Sequence, residues 1–123
     1  MDSNRIDKVR NKFSLINLHG IYVNNITNVR YLTGFSGSAG SLLILDHESH
    51  FFTDGRYTEQ VREQVKNSKI HIVGGSHIEG IEKNNLLKSD MKIGFESDHT
   101  TVTSFKALQN KLPQILWEPT SNI

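Results

Sequence analysis

The sequence contains no cysteine, and this absence excludes several classes of site at once. Disulfide frameworks, thiolate zinc sites, iron–sulfur clusters and cysteine nucleophiles all require the missing thiol. The sequence also has no large excess of charge of either sign. It contains 14 basic and 13 acidic residues, and its formal net charge is +1. Bulk charge therefore gives no argument for binding a nucleic acid.

The chain also lacks a long apolar run. Its longest such segment is Leu42–Leu45, far short of the ~20 residues that a membrane-spanning helix needs. The first residues, Met1–Arg5, do not show the basic and then apolar order of a signal peptide. We therefore expect a cytoplasmic protein that binds neither a membrane nor a nucleic acid.

The hydrophobic pattern predicts strands that alternate with helices along a single domain, 1–123. Helices are expected over 4–17, 56–67 and 102–112, with a weaker one over 78–88. Strands are expected over 21–23, 41–45, 51–53, 69–73, 92–96 and 115–117. Segment 24–28 is expected to be a loop, 29–32 a short extended or helical segment, and 119–123 irregular. Because the hairpin 41–53 requires an antiparallel pair, the sequence predicts an α/β domain with a mixed sheet.

The glycine- and serine-rich segment Gly34–Ser41 has only a superficial likeness to a phosphate-binding loop. It contains no lysine to reach a phosphate, and a strand rather than a helix is expected after it. Its serines do not stand in a G-x-S-x-G nucleophile motif. The small residues instead predict close approach of this backbone to a neighbour, either another chain or a ligand.

The titratable side chains form no catalytic or metal-binding motif. None of the six histidines belongs to an H-E-x-x-H pair. His47 and His50 flank the hairpin turn and are expected to be solvated, whereas His71 is expected on the outer face of a strand. Asp54 is placed to cap the helix that follows it. We therefore predict no catalytic residue and no metal ligand in this chain.

Arg30 is the one cation in an otherwise neutral stretch. It stands between Asn28 and Tyr31, and a guanidinium group suits bidentate binding of a carboxylate. The alternative is that Arg30 is a surface residue without a binding role.

Two blocks of sequence carry a resemblance to a known family. Asn28–Gly40 and Phe52–Gln60, with the N-R-Y-L-T-G-F-x-G-S-x-G and T-D-x-R-Y patterns, are similar to the N-terminal domain of the Xaa-Pro peptidases. That family includes aminopeptidase P and prolidase, with creatinase as a relative. Gly94–Glu96 and the helix expected after it fit the same pattern, so the resemblance covers most of the chain.

The resemblance implies a mixed β-sheet flanked by helices, with a ribonuclease H-like topology and no nuclease activity. It implies that the full-length protein is a metallopeptidase that cleaves next to proline. Its catalytic domain, of the pita-bread fold, would follow this one and hold two divalent metal ions, commonly manganese or cobalt. The present domain would be non-catalytic and would support a homo-oligomer, commonly a dimer.

The resemblance also implies roles for particular residues. The family's loop at the entrance to the active site, often that of the partner subunit, corresponds to Asn28–Gly40. Candidates for contacting a proline-containing peptide or a second subunit are Asn28, Arg30, Tyr31, Phe35 and Ser36. Structural roles are expected for Asp54, Arg56 and Tyr57, as a cap, an ion pair and a core anchor respectively.

Several functions stay open at the level of sequence. Aminopeptidase P and prolidase are not distinguished, and a creatinase-like amidinohydrolase is a further possibility. Relatives that have lost the metal ligands act as protein-binding scaffolds. A stand-alone binder of small molecules would use the loop Gly34–Gly40.

Overall fold

Six strands form one mixed sheet in the computed structural model, which describes residues 3–121. The strands are β1 (Gly20–Val23), β2 (Ser41–Leu45), β3 (Ser49–Thr53), β4 (Lys69–Ile72), β5 (Lys92–Glu96) and β6 (Leu116–Thr120). They lie in the order β4-β3-β2-β1-β5-β6. The β1–β2 and β2–β3 pairs are antiparallel, and the other three are parallel. The predicted α/β fold with a mixed sheet is therefore confirmed.

Helices cover both faces of this sheet. They are α1 (Ser3–Leu15), α2 (Ile26–Thr33), α3 (Thr58–Gln64), α4 (His77–Lys83) and α5 (Val102–Lys111), with a 3₁₀ turn at Gly55–Tyr57. The first three pack on one face, where Phe13, Val29 and Val61 join a single apolar cluster. The last two pack on the other, where Ile81 and Leu108 join a second cluster. No helix within residues 3–121 is long and apolar enough to span a membrane.

The two sheet faces are filled by alternate residues of the same central strands. Leu42 and Ile44 of β2 belong to the first cluster, whereas Leu43 and Leu45 belong to the second. All five residues of β2 are buried. The strand predicted over 41–45 is therefore confirmed, and it has no solvent side because helical layers cover both faces of the sheet.

The end of the described chain is more regular than predicted. Residues 119 and 120 belong to β6, and Pro119 pairs in register with Phe95 of β5. Proline is tolerated there because β6 lies at an edge of the sheet, where one side of the backbone needs no partner. The expectation of an irregular segment over 119–123 is therefore wrong as far as Thr120, and residues 122–123 lie outside the described residues.

Candidate functional site

Helix α2 begins at Ile26, so the loop predicted over 24–28 is wrong from residue 26 onward, and the helical alternative for 29–32 is confirmed. The helix carries three of the candidate residues. Asn25 has an extended backbone, with φ of −71°, and its side chain accepts a hydrogen bond from the backbone N–H of Thr27. Asparagine is a strong N-cap residue, so the asparagine-rich sequence begins a helix instead of preventing one. The helix ends at Gly34, whose φ of 83° lies in the left-handed region that favours glycine.

Glu96, at the end of β5, fixes the start of α2. Its Oε1 accepts hydrogen bonds from the backbone N–H groups of Asn24, at 2.6 Å, and Asn25, at 2.8 Å. Its Oε2 accepts from Nδ2 of Asn28 at 2.6 Å. A carboxylate at a helix N-terminus is also favoured by the helix dipole. Glu96 therefore sets both the position of the helix and the orientation of a candidate side chain.

A cavity of about 560 Å³ lies between α1, α2 and the ends of β5 and β6. Apolar side chains of the first core cluster form part of its wall: Val9, Ile21, Val23 and Leu32. Basic residues on α1 and acidic residues at or just after the end of β5 also line it: Arg5, Lys8, Lys12, Glu96 and Asp98. Asn28 and Tyr31 line the same cavity, so the structure brings these two candidates together.

Tyr31 and Arg5 are in direct contact. Tyr31 is 58% exposed, and the Arg5 guanidinium carbon lies 4.2 Å from the centre of its ring. The same guanidinium donates a hydrogen bond of 2.7 Å to the Tyr31 carbonyl oxygen. This cation–π stack joins α1 to α2 and holds the phenol at the surface.

Arg30 is exposed and does not line this cavity. Its side chain has no hydrogen bond or ion pair with any residue within 3–121, although its carbonyl accepts from the Gly34 N–H at 2.8 Å. The guanidinium is therefore presented to solvent on the last turn of α2, available to a group outside this domain.

Phe35 is a core residue, which corrects its place among the candidates for substrate or subunit contact. It is fully buried, and its ring packs edge-on against Phe51 at 5.0 Å and Tyr57 at 5.4 Å between centroids. The reason is its position directly after the helix-ending glycine, where the chain turns back toward the sheet. Phe35 has no surface to offer a substrate or a second subunit.

The small residues of the loop serve this aromatic cluster. A Cβ at Gly37 would lie 2.4 Å from Cζ of Phe35, and a Cβ at Gly40 would lie 2.8 Å from Cζ of Phe51. The close approach that the sequence predicts is therefore real, but the neighbour is the domain's own core. No second chain or ligand is needed to explain these two glycines.

Ser36 lies at the surface and is held by two glutamines of α3. Its backbone N–H donates to Oε1 of Gln64 at 2.9 Å, and its hydroxyl accepts from Gln64 Nε2 at 2.9 Å and Gln60 Nε2 at 3.0 Å. Sequence reasoning did not single out these glutamines or Glu96. The available signal was the spacing of Gln60 and Gln64 by four residues, which places them on one face of a helix.

The second sequence block, Phe52–Gln60, holds the other side of the loop Gly34–Gly40. Asp54 caps the 3₁₀ turn by accepting from the Arg56 N–H, and its carboxylate receives two further bonds of 2.9 Å from the Arg56 guanidinium. These bonds to Arg56 hold the pKa of Asp54 below its usual value. The Tyr57 hydroxyl lies 2.6 Å from Oγ of Ser38 and accepts from the Ser38 N–H.

Two histidines differ from the sequence prediction. His47 is exposed as expected, but His50 is only 2% exposed and lies in β3. His71 is partly buried, with its ring stacked on Phe52 at 5.0 Å. The turn is shorter than predicted because β3 already begins at Ser49, so His50 faces the second helical layer instead of solvent.

Comparison with known proteins places this fold in a family. The family model for the creatinase/prolidase N-terminal domain matches residues 5–123. An uncharacterized peptidase of Bacillus subtilis, YqhT, is 38% identical over 101 residues, which are 82% of this chain and 29% of that protein. The chain therefore spans less than a third of the length of this curated relative.

Two solved structures have the same fold. The N-terminal domain of the cytoplasmic peptidase PepQ from Mycobacterium tuberculosis superposes with a TM-score of 0.86 at 28% identity, covering 98% of this chain and 95% of that one. The Xaa-Pro dipeptidase from Bacillus anthracis gives a TM-score of 0.86 at 32% identity, covering 96% of this chain and 33% of that one. Together with the motifs around α2 and Asp54, these likenesses show that the chain belongs to the creatinase/prolidase N-terminal domain family.

Proposed function

We propose that this chain is the non-catalytic N-terminal domain of a metal-dependent Xaa-Pro peptidase, either an aminopeptidase P or a prolidase. The observation that carries the proposal is the family match over 5–123, together with a 32% identical Xaa-Pro dipeptidase of which this domain covers 33%. The hydrolysis of peptide bonds next to proline would be performed by a further domain of the full-length protein. The cytoplasmic description of the M. tuberculosis relative supports a cytoplasmic location.

The metal ions of such an enzyme do not fit this domain. Within residues 3–121, no group of three or more histidine, aspartate or glutamate side chains could hold a metal ion. Two divalent ions, manganese or cobalt, would therefore belong to the catalytic domain, where they would polarise the scissile carbonyl group. The role proposed for the present chain is binding, positioning and oligomerisation, with a dimer as the expected assembly.

The exposed residues of α2 and the following loop would form the side of the active-site entrance. Arg30 is suited to the carboxylate end of a proline-containing peptide, because its guanidinium is exposed and has no partner within the described chain. Asn28 and Tyr31, held by Glu96 and Arg5, would offer an amide and a phenol on the cavity side of the same helix. Ser36, fixed by two glutamines, would lie just after the C-terminal end of α2.

The cavity between α1 and the end of β5 would face the catalytic domain. Lys8 and Lys12 line it, and neither has an ion-pair partner among the described residues. Carboxylates of the catalytic domain would complement them. Carbodiimide treatment of the full-length protein should therefore link Lys8 or Lys12 to that domain, whereas the exposed Lys88, outside the cavity, should stay unlinked. Equal linking of all three lysines would contradict this orientation.

The function is tested in the full-length protein with manganese or cobalt supplied. It should cleave peptides with proline in the second position, and Arg30→Ala should raise KM by roughly tenfold, or about 1.4 kcal/mol, as expected for a lost charge-assisted hydrogen bond. The matched control is Arg62→Ala, at another exposed arginine, on α3. Absence of cleavage on every proline peptide would overturn the peptidase assignment, and an unchanged KM in Arg30→Ala would remove Arg30 from the site.

A further inference from the structure

We propose that a hydrogen-bonded pair of histidines, His50 on β3 and His71 on β4, makes the attachment of the edge strand β4 sensitive to pH. The pair lies on the side of the sheet that carries α4 and α5, away from α2 and its loop. It is independent of the peptidase assignment, because it depends only on contacts within this domain.

The two imidazole rings are placed to form one hydrogen bond with each other. Nδ1 of His50 lies 2.9 Å from Nε2 of His71, and the ring centroids are 5.1 Å apart. On its other side, Nε2 of His50 lies 2.5 Å from Oε2 of Glu48. Because Glu48 is held charged by Lys69 and His50, which lower its pKa, this nitrogen of His50 carries a proton and donates it.

Only some protonation states allow the bond between the imidazoles. A neutral imidazole has one donor and one acceptor nitrogen, whereas an imidazolium has two donors and no acceptor. With no net charge on the pair, His71 donates to Nδ1 of His50. With one positive charge, His50 donates to Nε2 of His71. With two positive charges, Nδ1 of His50 and Nε2 of His71 both carry protons. Neither nitrogen can then accept, so the hydrogen bond between the rings is lost.

The surroundings oppose the second charge. Burial and the neighbouring charge of His50 and Lys69 lower the pKa of His71, and Glu48 acts weakly in the other direction. Helix α4 packs on β3 and brings titratable groups of its own, but Nδ1 of His77 lies 2.7 Å from Oγ of Ser41, and Glu79 pairs with Lys111 of α5. The charges that act on His71 are those of His50, Lys69 and Glu48. The His71 ring also stacks on the ring of Phe52, which is apolar and carries no charge.

The hydrogen bond between the two histidines helps to hold β4 at the edge of the sheet. β4 is the last strand in the sheet order, has parallel pairing to β3 alone, and has no fully buried residue. His71 stands opposite Phe52 in the register, so its ring links the middle of the edge strand to the buried strand. A second proton on the pair therefore loosens β4 and uncovers the backbone edge of β3.

The direction of the effect follows from linkage. His71 has a lower pKa when β4 is attached than the usual 6.5 that it recovers when the strand is open. The open form thus binds more protons below pH 6.5, and opening increases as pH falls until the lower pKa is passed. The ratio of open to attached strand should rise by about tenfold for each pH unit that separates the two pKa values.

Hydrogen exchange of the 123-residue chain tests the proposal, since the equivalent domain of the M. tuberculosis relative was crystallised by itself. After correction for intrinsic rates, the amides of β4 should lose protection between pH 7.5 and pH 5.0, while those of β2 keep theirs. His71→Gln, whose amide N–H can still donate to His50, should abolish this loss. His47→Gln, at an exposed histidine of the hairpin turn, should leave it intact.

Protection of β4 that does not change with pH, or the same loss in His71→Gln as in the unaltered chain, would overturn the proposal. Imidazole ¹⁵N shifts of the unaltered chain provide a second measurement that needs no variant. They should show His71 titrating below pH 6.5, in step with the β4 amide shifts. Titration of His71 at or above 6.5 without a response in β4 would equally overturn it.

Discussion

Glu96 and Asn28 are 68 positions apart in the sequence, and their side chains meet at 2.6 Å beside the cavity. The same carboxylate accepts both backbone N–H groups that precede α2. One side chain at the end of a central strand therefore determines where α2 begins and how its outward surface is oriented. The candidate site depends on a residue that lies in neither of the two motifs around α2 and Asp54.

Replacing Glu96 by alanine should lower the free energy of unfolding by at least about 1.5–3 kcal/mol, the typical contribution of one hydrogen bond to a charged group, because three such bonds are lost. Glu96→Gln should lose less, since an amide oxygen can still accept from the backbone. The matched control is Asp98→Ala, an exposed carboxylate on the same cavity, which should change stability by less than about 0.5 kcal/mol. Urea unfolding compares the variants, and equal losses at 96 and 98 would refute the anchoring role.

The glycine at 37 should not tolerate a side chain. Its Cβ would lie 2.4 Å from Phe35 and 2.9 Å from Tyr57, and Phe35 is fully buried and has no room to move. Gly37→Ala should therefore destabilise the domain by about 1–3 kcal/mol through overpacking. At Gly74, where nothing lies within 4 Å, alanine should be neutral or stabilising by up to about 1 kcal/mol. Thermal unfolding of the two variants measures this, and similar stability would contradict the packing role.

The parts of the fold that sequence predicts well are those with a local signal. β2 is a run of five residues whose composition indicates burial on both faces, and α5 has apolar residues at helical spacing. The prediction is wrong for the first turn of α2, over 26–28, because asparagine disfavours helix interiors yet favours the position before them. Local propensity alone does not tell which of these two positions an asparagine occupies.

The parts that sequence misses depend on contacts across the chain. His50 follows a polar turn, and its burial results from its pairing with a strand that begins 19 residues later. Phe35 stands in a motif that the resemblance associates with the active-site entrance, but the fold requires its ring in the core. Glu96 and Gln64 gain their roles from partners 68 and 28 residues away, a distance over which hydrophobic periodicity carries no information.

Removing the amide of Gln64 should loosen the loop more than it destabilises the domain. Gln64→Ala loses two of the three hydrogen bonds that hold Ser36, and a typical hydrogen bond contributes only about 0.5–1.5 kcal/mol. Amide exchange at residues 36–39 should become faster, while β2 keeps its protection. Gln109→Ala, at an exposed position of α5, serves as the control and should change neither. Unaltered exchange in Gln64→Ala would show that Gln60 and the aromatic cluster hold the loop without Gln64.

The phenol of Tyr22 should remain protonated in strongly alkaline solution. Burial raises its pKa from 10.0 to about 12, while Ser41 acts in the opposite direction and Glu96 adds to the rise. The unfolded chain loses this proton near pH 10 and the folded chain keeps it, so the free energy of unfolding should decrease as pH rises above 10. Replacing the phenol by phenylalanine should remove that part of the decrease.

Absorbance at 295 nm, which reports phenolate, distinguishes the tyrosines. Below pH 11 the folded Tyr22→Phe variant should give the same titration as the unaltered chain, because Tyr22 contributes no phenolate there. Tyr57→Phe should instead lose an early step, since its hydrogen bonds with Ser38 lower the pKa of Tyr57. If Tyr22→Phe removes a step below pH 11 while circular dichroism shows a folded chain, the phenol is accessible to solvent, and its burial on β1 under the second helical layer is wrong.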